Sequence, residues 1–310
     1  MMQSAEAFEV LANGAAVMRF ELPSTVVEGR DGLHLLHRLL TRQVDDMQDG
    51  DVRHAFLCDG LGRAIDRFTV WRLDDQVLLS SLPGRAVESR AVLMDAVSWK
   101  DDVSLTAGDD ALSNLMIAGR TARPLLIGLG IDPDDLMVGR SVQYGPAWFT
   151  EMQPVVGQPA YHSVIPAGSS DDLVGTLVSH GAVRLDDESW PSLRIKSGIL
   201  GGGTEVDGTT IPLELAAATD IDLTKGCYPG QEIHARMESR GKLARTIIGF
   251  TCADEVRIGD QNIESGGRLR ITSLSGTVGE QIGLALVRPA IANHPIRLTT
   301  GQTLMPTEPL

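Results

Sequence analysis

The order of short apolar runs between Asp51 and Gly119 limits the fold of this chain more than any other feature. "RHAFLC" and "RFTVWRL" read as strands joined by the turn "DGLGRA", rich in Gly and Asp, and "QVLLSS" follows as a third strand. Arg85 to Val97 has helical periodicity, after which "DVSLTA" and "NLMIAG" return to strand. Three strands, a helix and two strands imply an α+β unit with a largely antiparallel sheet.

The flanking segments are less regular. Gly29 to Met47 places Leu33, Leu36, Leu40, Val44 and Met47 at three- and four-residue steps, which predicts an amphipathic helix. From Arg123 to Pro166 prolines and glycines separate single strands such as "AWFTEMQPV". Asp171 to His180 predicts a helix, with aspartates at its start, Leu173, Val174, Leu177 and Val178 on one face, and Gly181 as its stop. "GILGGGTEVDGTTIP" reads as loop. After Lys242, short strands between glycines ("ARTIIGFTC", "RLRITSLS", "IGLALVRP") predict a small β-barrel or sandwich. The 310 residues accommodate about two domains, or three small ones.

Several function classes are disfavoured. A net charge of −14 repels nucleic acid at long range. No apolar run approaches the ~20 residues of a membrane span, and the first residues lack the pattern of a signal peptide, so a cytoplasmic protein is expected. Cys58, Cys227 and Cys252 are odd in number and far apart, which argues against a disulfide framework and a zinc site. The seven histidines show no metal-ligand spacing, so no metal is assigned. "GGG" at 201–203 and "GLGRAI" lack the residues of a phosphate loop and read as turns.

One stretch resists a purely structural reading: "TKGCYPGQEIHARMESRGK", Thr224 to Lys242. Tyr228-Pro229-Gly230-Gln231 suits a type II turn, with Pro second and Gly supplying positive φ third. Cys227 then stands on a tight bend near a helix start, and Glu232 and Arg236 are spaced to pair on one helical face. From Asp222 to Arg245, five basic side chains (Lys225, Arg236, Arg240, Lys242, Arg245) outnumber Asp222, Glu232 and Glu238. A free cysteine is often just a small buried hydrophobe, and a charge cluster is often only solvated. The turn chemistry and the flanking cations favour a functional thiol, with Lys225 and Arg236 tuning its reactivity.

"KGCYPGQE" resembles the signature of the YgfZ family, relatives of the folate-dependent glycine-cleavage T-protein, or aminomethyltransferase. "LRIKSGI", "EVDGTTIPLE", "RGKLARTIIGF", "GLALVRP" and, near the N-terminus, "HRLLTRQVDDM…AFLCDGLGRAIDR" are similar to further segments of that family. The resemblance implies a three-domain α+β fold around a folate-sized pocket. A split folate-binding-like domain (1–50 plus 140–240) would enclose a ferredoxin-like domain (51–139), with a β-barrel at 241–310. It implies a reduced folate such as tetrahydrofolate as non-covalent cofactor, and iron–sulfur clients or assembly proteins as partners, tRNA-modifying enzymes among them. Cys227 and Lys225 would carry the chemistry. Tyr228, Gln231, Glu232, Arg236, Arg194, Lys196, Glu205 and Gln43 would shape the site.

Two positions depart from the aminomethyltransferase pattern. Where those enzymes carry the Asp of an Asn-Asp pair, this chain has Gln43, which cannot act as a carboxylate acid or base. Where they carry a Glu for the pterin edge, it has Lys196, suited instead to an anionic folate tail. The expected function is therefore YgfZ-type maintenance of iron–sulfur enzymes. The alternatives are a one-carbon transferase and a non-catalytic scaffold, and direct tRNA binding by the basic stretch stays open.

Overall fold

The computed structural model describes residues 4–74, 76–131 and 135–307. The strands expected after Asp51 form as Val52–Cys58, Ala64–Leu73 and Gln76–Ser80, followed by the helix Ala86–Asp95 and the strand Ser104–Ala107. With Ser24–Glu28 they make one antiparallel sheet in the order 52–58, 64–73, 76–80, 24–28, 104–107. One face of it packs Ala55, Leu57, Phe68 and Val70 against the helices Gly32–Leu39 and Ala86–Asp95. Because strand side chains alternate, His54, Arg67 and Thr69 point to the opposite face.

Leu112–Ala118, the last strand of that run, leaves this sheet. It lies centrally in a second sheet, in the order 182–184, 15–20, 112–118, 158–166, 147–155, 141–144. Both of its faces are apolar: Leu115 and Ile117 pack on one side, Met116 and Ala118 on the other. A strand with two apolar faces must be covered on both, and its central place in the second sheet provides that. The run from Asp51 to Gly119 therefore divides between two sheets.

The helix expected over Gly29–Met47 is shorter, Gly32–Leu39. Leu40 is already extended and bridges Leu57, and the Thr41 N–H donates to the Phe56 carbonyl at 2.9 Å. Strand pairing overrides helical periodicity there. Val44 and Met47 still reach the core, from a loop.

The C-terminal strands form a third sheet in the order 259–262, 268–275, 281–287, 246–252, 303–306, 296–297. Its edges meet: Ile263 bridges Leu298, Glu264 N–H donates to the Arg297 carbonyl and Thr299 N–H to the Asn262 carbonyl. The sheet closes around Phe250, Ile271 and Leu304, which removes exposed edges. Among the described residues no helix is long and apolar enough to cross a membrane.

Candidate functional site

A cavity of about 370 Å³ lies where the first two sheets face each other. Met18, Phe20 and His162 come from one sheet, His54, Arg67 and Thr69 from the other, and the helix Trp190–Lys196 with the loop 199–204 covers them. Phe20 and Trp190 pack against each other in a tilted arrangement, 4.6 Å between ring centroids and 58° between ring planes.

The cavity wall holds two imidazoles in their neutral form. Burial lowers the His162 pKa to about 3, with nearby His54 adding to the effect. Burial likewise lowers His54 to about 4, with the Arg67 cation second. The Asn114 amide donates to the Leu22 carbonyl at 2.8 Å, so its oxygen faces His162 Nε2 at 2.7 Å. That network places the His162 proton on Nε2 and leaves Nδ1 an acceptor. Arg67 Nε donates to Asp220 at 2.7 Å. The neighbouring Asp66 is buried on the other face, where burial raises its pKa to about 6 against hydrogen bonds from Ser89 and the Leu82 and Arg67 N–H groups.

Of the residues predicted from sequence, Arg194 lines this cavity and Glu205 stands directly behind it. The fully buried Glu205 carboxylate accepts from Arg194 at 2.9 Å, from Gly201 N–H and Thr204 Oγ1 at 2.8 Å each, and from Ser273 Oγ at 2.6 Å. This knot joins the covering helix, the 199–206 loop and the C-terminal barrel. Lys196 is exposed at the end of its helix and does not line the cavity.

The signature stretch forms a separate surface. Gly230 has φ +81° and ψ 0°, and the Gln231 N–H returns to the Tyr228 carbonyl at 3.2 Å, the type II turn the sequence implies. The helix Gln231–Arg240 follows. The "DGLGRA" turn packs against it so closely that a Cβ on Gly230 would lie 2.3 Å from the Gly62 Cα. Buried His234 closes the contact, with Nε2 2.9 Å from the Gly62 carbonyl and Nδ1 3.2 Å from the Tyr228 hydroxyl.

Lys225 is buried. Its ammonium donates to the His37 carbonyl and lies 5.4 Å from the Tyr228 ring centroid. Burial lowers its pKa to about 8, while Asp45 and Asp222 pull the other way. His37, whose pKa burial and Lys225 both lower, brings Nδ1 to 3.3 Å from Asp45, close but not aligned for a hydrogen bond. Asp45 also accepts from the Gln43 amide, which places Gln43 beside Lys225 through Asp45 rather than in the cavity. Gln231 holds the loop by donating to the carbonyls of Leu223 and Lys225 at 3.1 and 3.4 Å. Cys227 is exposed on this surface, whereas Cys58 and Cys252 are buried. Glu232 and Arg236 are exposed and form no ion pair with each other.

The structure thus separates the predicted residues into the signature surface with Gln43, the Arg194–Glu205 knot, and a remote Lys196. Sequence reading missed His54, Arg67, His162 and Trp190. The available signal was a polar residue inside an apolar strand, as in "YHSVI" and "IDRFTV". Among the described residues no group of three or more His, Cys, Asp or Glu is arranged to hold a metal ion.

The GCVT N-terminal domain family model matches residues 7–225, well over half of the chain. The chain belongs to that family. It is similar to a putative transferase of Arabidopsis thaliana, At1g60990, chloroplastic, at 22% identity over 96% of this chain and 71% of that protein. An aminomethyltransferase of Thermoanaerobacter pseudethanolicus is also 22% identical, over 84% of this chain and 74% of its own length. Among solved structures, the glycine cleavage system aminomethyltransferase T from Bartonella henselae superposes with a TM-score of 0.83 at 17% identity, covering 100% of this chain and 89% of that one. This GCVT-family chain therefore has the aminomethyltransferase fold, with three sheets of which the last curls into a barrel.

Proposed function

We propose that this GCVT-family protein is of YgfZ type, binding a reduced folate in the central cavity and using Cys227 in the maintenance of iron–sulfur enzymes, tRNA-modifying ones included. The observation that carries the proposal is the placement of Cys227. It is the exposed member of three cysteines, on a turn fastened by Gly62, His234 and Gln231. A thiol there meets a partner in solution without entering the cavity.

The cavity suits a pterin. Its apolar wall accepts a flat ring, while neutral His54 and His162, with Thr69, offer donors and acceptors to an amide-like edge. A bound reduced folate would supply a one-carbon carrier, and the protein's part is to exclude water and orient the ring. A second reading, folate-dependent aminomethyl transfer, draws on the names of the relatives and the shared fold. Gln43 weakens it, since an amide cannot exchange protons as a carboxylate does and this one stands outside the cavity lining.

The test is an iron–sulfur enzyme assay in cells lacking the gene, rescued with wild type or with Cys227→Ala. Rescue by wild type alone, at equal protein abundance, is the expected result. Equal rescue by both removes the thiol from the function and leaves the signature as a docking surface.

A further inference from the structure

Charge around the central cavity is unevenly compensated. Inside, Arg67 and Arg194 each face a buried carboxylate, Asp220 at 2.7 Å and Glu205 at 2.9 Å. At the mouth, Arg19 is taken by Asp171 at 2.8 Å. Two further lining carboxylates, Glu21 and Asp187, are exposed, and among the described residues neither forms an ion pair. A second, more open compartment of about 560 Å³ adjoins the first, and both residues belong to the lining the two share. The open compartment adds one more carboxylate, Asp109, already held by Arg90 at 2.8 Å. The wall the two compartments share thus carries two unpaired negative charges and no unpaired positive one.

We propose that Glu21 and Asp187 make this site selective for reduced folates with a short tail and set it against chains of γ-linked glutamates. The inference rests on reading the cavity as a folate site. The ring fills the apolar interior, so the polar tail lies toward the open compartment. Each added glutamate brings one more carboxylate past Glu21 and Asp187, within the ~8 Å over which charges interact at physiological salt. With no free cation in either lining to offset this, two added glutamates weaken binding by about three- to tenfold at low salt, the scale of screened surface charges.

Titration calorimetry of the full chain with 5-formyltetrahydrofolate carrying one or three glutamates, at low and high salt, tests this. The expected result is weaker binding of the triglutamate at low salt. The gap closes at high salt and in the Glu21→Gln/Asp187→Asn double variant, whose changes are at exposed positions and spare the fold. Equal or tighter binding of the triglutamate at low salt overturns the inference and leaves the folate reading intact. A gap that persists in the double variant also overturns it, because the discrimination is then steric. Binding of neither form removes both readings.

Discussion

Replacing Gly230 by Ala puts two separable costs on the signature turn. The first is conformational: φ is +81°, and an L-residue held in the left-handed region costs about 1–2 kcal/mol. The second is steric. The new Cβ would sit 2.3 Å from the Gly62 Cα and 2.8 Å from the Asp59 carbonyl oxygen, both backbone atoms that cannot rotate away. Forced backbone shifts of this kind cost about 1–3 kcal/mol. Separating the two turns also loosens the bond from His234 to the Gly62 carbonyl, for about 1 kcal/mol more. The sum is about 3–6 kcal/mol.

Two other glycines separate the contributions. Gly84 has φ +74° with nothing within 4 Å of its virtual Cβ, so Gly84→Ala carries the first cost alone, about 1–2 kcal/mol. Gly60 has neither positive φ nor a close neighbour, and Gly60→Ala stays within about 0.5 kcal/mol. Native-state hydrogen exchange across the helix Gln231–Arg240 reads the effect locally. Gly230→Ala accelerates exchange there by about a hundredfold or more, while the other two leave it near wild type. Exchange in that helix no faster for Gly230→Ala than for Gly84→Ala would refute the steric argument.

Two further outcomes follow from buried charge. Glu205→Ala strands the Arg194 guanidinium, which is only 12% exposed, and destabilises the protein by about 3–5 kcal/mol, while Arg194→Met/Glu205→Leu costs less than the sum of the single changes; additive losses in urea unfolding would contradict this. Lys225 has a folded pKa of about 8, below its ordinary value of 10.5, so between those pH values the unfolded chain holds more protons and stability rises with pH. The stability difference between wild type and Lys225→Met should therefore shift in favour of wild type over that interval, and a flat difference would show that Lys225 is not desolvated.

How much of this was legible in the sequence depended on the range of the interaction. Pro229-Gly230 announces its turn because both residues act on their own backbone, and the strands after Asp51 announce themselves through alternation. The partner of that turn did not show. Gly62 lies far from Gly230 in sequence, and nothing local says that two glycines will meet. Leu40 has the spacing of a helix residue, yet pairing with Leu57 takes it. The cavity was the least visible part. His54, Arg67 and His162 line it because their strands present another face to a core, and which face turns inward is decided by sheet packing. Gln43 and Lys196 could be placed by similarity to a family pattern, but not relative to a cavity whose walls come from two sheets.

The contact between Arg67 and Asp220 ties the cavity to the signature loop. Arg67 lines one, and Asp220 begins the other: its carbonyl accepts from Thr41, whose own carbonyl receives the Asp222 N–H, and Asp222 in turn accepts from the N–H groups of Thr224 and Lys225. A ligand that draws Arg67 away from Asp220 leaves a carboxylate only 8% exposed without its cation, at the root of the loop that carries Cys227. Linkage makes such an effect mutual: a partner that grips the loop would change the cavity's affinity by the same factor. Two regions that share no lining residue would then report on each other through one guanidinium.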